Sequence, residues 1–243
     1  MLKGVNISKR FGGLTALSRV NFEVRRGEIV GLIGPNGSGK TTLFNVISGL
    51  YRPESGEIFF EGKRISGLPP HKIAGRGIGR TFQIVRPLMD LSLIHNVATA
   101  VMYGREGIEA PKPAWERAAQ ILEFTGLSSK AHVLPGQLAL EDRKRLEVAR
   151  ALASKPEIIL LDEVFAGLNQ KEIDGAIDLT FRIRDDYGVT VFMIEHVMKA
   201  IMGTCSRVVA LHNGVKIADG DPEEVANNPE VIKAYLGAAY AER

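Results

Sequence analysis

Glu28-Ile29-Val30-Gly31-Leu32-Ile33-Gly34-Pro35-Asn36-Gly37-Ser38-Gly39-Lys40-Thr41-Thr42, residues 28–42, is the stretch whose reading decides the fold. Its first half is a short continuous apolar run, the pattern of a strand buried on both faces. From Gly34 onward it fills every position of G-x-x-x-x-G-K-[ST], and apolar residues then recur at helical spacing at Leu43, Val46, Ile47 and Leu50. Strand, glycine-rich loop and helix in that order predict a nest of backbone N–H groups aimed at phosphate oxygens, backed by the positive end of a helix dipole. On this reading Asn36, Gly37, Ser38, Gly39, Lys40, Thr41 and Thr42 hold a nucleoside triphosphate. Lys40 brings a positive charge to the β- and γ-phosphates, and the Thr41 hydroxyl holds Mg²⁺.

Working outward, Val20, Phe22 and Val24 alternate with polar neighbours, which predicts an antiparallel sheet ahead of the buried strand. Gly49 and Pro53 close the helix after the loop, and short strands follow at 58–60 and 77–82, leading to Gln83. Residues 88–153 read as helical, with a loop expected where Pro111 and Pro113 interrupt the pattern. A second buried strand ends in Asp162 and Glu163. It is followed by a helix whose expected apolar stripe is Ile173, Ala176, Ile177, Phe181 and Ile183. A third strand, 189–194, ends at Glu195-His196. The tail predicts a hairpin at His212-Asn213-Gly214 and two short helices, the second after Pro229. The expected fold class is α/β: a P-loop NTPase core with a mixed sheet, an antiparallel β subdomain and an inserted helical subdomain. One domain would span 1–243, with 1–87 and 154–243 as nucleotide-binding core and 88–153 as helical subdomain.

A chain of 243 residues with 45% hydrophobic and 24% charged residues can bury a sizeable core, which excludes disorder. A net charge of +3 does not argue for nucleic acid. The single cysteine, Cys205, forms no internal disulfide and reads as a small buried apolar residue. No apolar run reaches bilayer-spanning length and no signal-peptide core opens the chain, so the expectation is a soluble, cytoplasmic protein, any membrane role of which must come through a partner.

Two carboxylates at the C-terminal end of a core strand belong beside a phosphate loop in an open α/β sheet. Asp162 would hold Mg²⁺ through water, and Glu163 would orient or activate the attacking water. His196, just past the next core strand, would reach the γ-phosphate, and the Gln83 amide would meet Mg²⁺ or water. With these residues in this order the chain resembles the ATP-binding cassette (ABC) family of transport ATPases over essentially its full length. The resemblance implies that Phe11 stacks on adenine, that 34–42 is the Walker A motif and Asp162-Glu163 the Walker B pair. It makes Gln83 the Q-loop and His196 the switch histidine. It also implies ATP and Mg²⁺ as cofactors, with Thr41, Gln83 and Asp162 around the metal. Arg10-Phe11-Gly12-Gly13, the run 79–83, Ala166-Gly167-Leu168-Asn169 and the tail 228–237 resemble LivG-type subunits of branched-chain amino acid importers.

One family motif is altered. The signature, usually L-S-G-G-Q, falls at Leu138-Ala139-Leu140-Glu141-Asp142 when counted back from Arg145-Leu146-Glu147-Val148-Ala149-Arg150. A second register, through Leu134-Pro135-Gly136-Gln137, leaves the following helix four residues out of step. In the family the signature completes the ATP site of a partner subunit. Ala139 lacks the hydroxyl for a γ-phosphate, and Glu141 or Asp142 would repel it if either faced inward. The implied assembly is a heterodimer with a second ABC ATPase, bound to transmembrane permease subunits and served by a substrate-binding protein. Residues 84–93 would contact the permeases, at the inner face of the cell membrane. Competing readings are an ATPase of a lipid or lipopolysaccharide exporter, a binding-only subunit, and a nucleotide-gated interaction protein.

Overall fold

The computed structural model describes residues 1–83, 86–107 and 110–236. In chain order the strands and helices begin with β1 (Leu2–Phe11), β2 (Leu14–Val24), β3 (Ile29–Ile33), α1 (Lys40–Ile47), β4 (Ser55–Phe60), β5 (Lys63–Arg64) and α2 (Pro70–Ala74). They continue with β6 (Ile78–Arg80), α3 (Leu93–Met102), α4 (Pro111–Phe124), α5 (Leu140–Ala153), β7 (Ile158–Asp162) and α6 (Gln170–Asp185). The chain closes with β8 (Thr190–Ile194), α7 (Met198–Thr204), β9 (Arg207–His212), β10 (Val215–Gly220), α8 (Pro222–Ala226) and α9 (Pro229–Leu236). They fall into two compact units, Met1–Ile73 with Thr190–Arg243, and Ala74–Val189. No helix among the described residues is long and apolar enough to cross a membrane.

The first unit holds an antiparallel sheet in the order β2-β1-β4-β5, in which Val20, Phe22 and Val24 turn inward as their alternation predicts. It also holds strands in the order β10-β9-β3-β8. β3 runs parallel to β8 and to β9, with Val30 opposite Phe192 and Leu32 opposite Val209, and all five β3 residues are buried. Phe192 sits between Phe44 of α1, ring centroids 5.1 Å apart, and Phe22 of β2, 5.9 Å apart. Burying each such ring stabilises by about 1.5–3 kcal/mol. The hairpin β9–β10 turns on Asn213 and Gly214, both at positive φ (47° and 76°), as a type I′ turn requires.

In the second unit β6 and β7 are parallel neighbours, with Arg80 opposite Leu160. α3 packs on α4 and α5, and Leu93, Val97, Val101, Ala118, Leu122, Leu146 and Ala149 of these helices are buried. Two local expectations are corrected here. Pro111 and Pro113 do not sit in a loop; they open α4, where a missing N–H costs nothing and a fixed φ suits the first turn. On α6 the buried residues are Ile173, Leu179, Thr180 and Ile183, whereas Ala176, Ile177 and Phe181 are only half-buried. The inward face is therefore rotated from the expected stripe, and Thr180 can join it because its hydroxyl bonds to the Ala176 carbonyl.

Candidate nucleotide site

In the first unit the chain leaves β3 through Gly34 at φ 147° and enters α1 through Gly39 at φ 106°. A Cβ on Gly34 would lie 2.1 Å from the Leu211 carbonyl oxygen, and one on Gly39 would lie 2.6 Å from that of Ala16. Both positions therefore require glycine twice over, for conformation and for space. At Gly37 (φ 79°) nothing lies within 4 Å of the same point, so the mouth of the loop is open where its rim is tight. The back of the loop is tied to the β9–β10 turn, since Gly214 N–H donates to the Ser38 carbonyl at 3.0 Å.

The charge in this loop is held by the backbone. Lys40 is buried and its Nζ donates to the carbonyls of Gly34 (2.7 Å) and Pro35 (3.0 Å), curling over the loop. The Ser38 hydroxyl oxygen is buried and has no hydrogen-bond partner. Buried hydroxyls are normally paired, so this one, on the Gly34 side of the loop, is a polar group with bonding capacity to spare. Gly39 caps α1 without a side-chain bond, which leaves the first-turn N–H groups for an anion. Asn36 and Thr41 are exposed and Thr42 half-exposed on the same segment. A tight rim, a lysine, an orphan hydroxyl and open N–H donors fit a polyphosphate.

Phe11 stands at the end of β1 and is 42% exposed, meeting Tyr51 edge-on at 5.1 Å, with the Lys9 ammonium 5.2 Å from its ring centre. His196 follows β8 and is exposed, while its neighbour Glu195 is buried.

In the second unit Asp162 ends β7 and is gripped by two residues that sequence reasoning missed. Arg80 Nη2 lies 3.0 Å from Asp162 Oδ2, in an ion pair whose side chains are only 6% and 1% exposed. The Thr81 hydroxyl accepts from the Asp162 N–H at 3.0 Å, and Thr81 N–H in turn donates to the Leu160 carbonyl. The signal was present in Gly79-Arg80-Thr81-Phe82-Gln83, but only strand register puts Arg80 and Thr81 beside Asp162. Glu163 follows at φ 53°, a left-handed conformation in a residue with a side chain. Gln83 Nε2 donates to Glu163 Oε2 at 2.8 Å, so the structure brings these two expected residues together. Lys144 of α5 donates to the carbonyls of Glu163 (2.9 Å) and Ala166. Among the described residues no three His, Cys, Asp or Glu side chains converge on a point that could cage a metal. Within this unit the Asp162 carboxylate and the Gln83 amide are oxygen donors of the kind Mg²⁺ takes, alongside waters and substrate phosphates.

At the altered signature, Ala139 is the N-cap of α5 and offers no side-chain bond. The two carboxylates that follow are each met by a cation: Glu141 by Arg145 at 2.6 Å and Asp142 by Lys130. Acidic residues in a first helical turn also favour the dipole. The negative charge expected there is thus already matched by cations within the unit. Ile84 and Val85, part of the expected permease contact, lie outside the described residues. Beyond them Asn96 organises the segment, donating to the carbonyls of Leu88, Leu91 and Ser92 and accepting from Leu88 N–H, while Leu88, Met89 and Leu91 face solvent.

Comparison with known proteins matches this geometry. The ABC transporter family profile covers residues 17–166, and a second, for branched-chain amino acid ATP-binding cassette transporters, covers 215–241. The chain is 41% identical to the high-affinity branched-chain amino acid transport ATP-binding protein BraF of Pseudomonas aeruginosa, over 98% of both chains. It is 42% identical to LivG, of the same description, from Escherichia coli K12, over 95% of both. Among solved structures it is similar to the ADP conformation of MJ1267, an ATP-binding cassette of an ABC transporter, with a TM-score of 0.87, 31% identity and 98% of each chain covered. It is also similar to the dimeric bacterial ABC transporter cassette MJ0796, with a TM-score of 0.83, 27% identity, and 91% of this chain and 99% of that one covered. The tight-rimmed loop at 34–42, the carboxylate-bearing strand β7 and these full-length matches together show that the chain belongs to the ABC transporter family, as one of its ATP-binding cassettes.

Proposed function

We propose that this ATPase is the motor subunit of an importer for branched-chain or other hydrophobic amino acids. Near full-length identity of 41–42% to branched-chain amino acid transport ATP-binding proteins carries this reading, and the tail match at 215–241 supports it. ATP binds with its phosphates on residues 36–42 and its adenine against Phe11. Thr41, Asp162 and Gln83 would hold Mg²⁺, which when bound neutralises phosphate charge. Glu163 orients and deprotonates the attacking water, Gln83 holds the Glu163 carboxylate in place, and His196 fixes the geometry at the γ-phosphate. The partners are permease subunits, a second ATPase and, indirectly, a substrate-binding protein. The helical stretch 88–153 passes the motion on, and the subunit sits on the inner face of the membrane.

The test is turnover of Glu163→Gln in the assembled transporter. Loss of a positioned general base costs about 10²–10⁴-fold. ATP uptake measured by calorimetry should survive this change and disappear in Lys40→Ala. Unchanged hydrolysis in Glu163→Gln would remove Glu163 from the chemistry. ATP-driven leucine uptake into proteoliposomes carrying the permeases tests the cargo. A second reading, a subunit that binds ATP but contributes a poor signature to its partner's site, is favoured by Ala139, Glu141 and Asp142.

A further inference from the structure

We propose that the C-terminal helix α9 is a latch on the phosphate loop, with the Tyr235 hydroxyl as the positioning group for Gly34. Gly34 is the first residue past the ladder of β3, and its N–H donates to the Tyr235 oxygen at 2.8 Å. Its carbonyl accepts from Lys40 Nζ at 2.7 Å. A single residue therefore joins the helix on one side to the lysine on the other. Gly34 has no slack, because the space a Cβ would take is filled by Leu211 and Ser38. It is also buried, so its N–H needs a protein acceptor.

The helix itself is lightly anchored. Of its eight residues only Val231 is deeply buried, while Ile232, Tyr235 and Leu236 are all substantially exposed. Among the described residues the hydroxyl bond therefore joins Val231 in tying α9 to its unit, and elements with few buried residues are those that open locally. Partial burial pushes the Tyr235 phenol upward against the pull of the Gly34 N–H, which keeps its oxygen a neutral acceptor. Coupling between two bound states is reciprocal. If a docked α9 favours the phosphate-holding loop, nucleotide must favour a docked α9. This last step rests on the reading of 34–42 as the nucleotide site.

The experiment compares the full chain with Tyr235→Phe, which keeps the ring and removes only the acceptor, and with Ile232→Ala, which trims an exposed side chain of the same helix and keeps the acceptor. NMR on glycine-labelled protein without nucleotide should show the Gly34 amide proton moving upfield in Tyr235→Phe and exchanging about three- to tenfold faster, the size of one hydrogen bond. Ile232→Ala should leave both unchanged. Calorimetric affinity for Mg·ATP should weaken by a similar factor in Tyr235→Phe. Nucleotide should slow exchange over 229–236 in the parent but not in that variant. An unchanged Gly34 resonance and exchange rate in Tyr235→Phe overturns the latch. So does a normal amide response with unchanged ATP affinity. Absence of ATP uptake by the parent chain would instead defeat the nucleotide reading, leaving the latch to be judged on the Gly34 amide alone.

Discussion

Glu163 is left-handed at φ 53°, and a residue with a side chain adopts that conformation at a cost of about 1–3 kcal/mol unless its surroundings enforce it. The bonds that hold it include those from Lys144 and the Ala166 N–H to its carbonyl and from Gln83 to its carboxylate. Lys144→Met removes one of them without touching the carboxylate. It should lower turnover at saturating ATP while calorimetric ATP affinity stays within about twofold, as expected for a group acting on the chemical step alone. Cys205 makes a different point. It is buried at the C-terminal end of α7, and burial first, then the Glu195 charge, pushes its thiol up to about 12. The folded value is raised from 9.0, so its contribution to stability is complete below pH 9 and is lost as pH rises from there through 12. In the native protein at pH 8 it should resist alkylating reagents, and react once denaturant unfolds the chain; fast native labelling at pH 8 would contradict this burial. The reading of Cys205 as a small apolar residue needed only its uniqueness in the chain, whereas Lys144 carried no sequence signal at all.

At the scale of elements, α5 begins on Ala139, a residue that cannot cap. Ala139→Ser supplies an oxygen for the first-turn N–H groups and should stabilise the chain by about 1 kcal/mol. A raised midpoint in urea unfolding checks this, and an unchanged one would mean that another group already serves those donors. By contrast α6 is capped twice over, Asn169 and Glu172 forming a reciprocal capping box. The misread elements share a cause. Pro111 and Pro113 mark a helix start as readily as a break, and which of the two applies depends on whether the helix that follows has a face to bury. Ala114, Ala118, Ile121 and Leu122 provide that face. The stripe of α6 was rotated because periodicity counts apolar residues, and a threonine that satisfies its own hydroxyl enters the buried face unseen.

For the whole molecule, the phosphate loop, Asp162, Glu163 and His196 are complete in this one chain, while the signature at 138–142 is altered. We propose that this asymmetry calls for an assembly of two unlike ATPases. Mixing this chain with a partner cassette carrying an intact signature should raise ATP turnover well above the sum of the separate proteins. Glu163→Gln in this chain should then abolish most of the gain. Equal activity of the chain alone would favour a homodimer, and would show that Lys130 and Arg145 quench Glu141 and Asp142 well enough for the signature to work as it stands.

The sequence by itself determined the class of fold and the identity of the phosphate loop, because a buried strand, a glycine bend and a helix are local events encoded by adjacent residues. It also determined the order of Gln83, Asp162, Glu163 and His196 along the chain. Only the tertiary structure decided that Arg80 and Thr81 hold Asp162, that Gln83 and Lys144 hold Glu163, and that Tyr235 reaches Gly34 across 201 positions of chain. Those partners are chosen by strand register and by where helix ends come to rest. Neither leaves a periodic trace in the residues that take part.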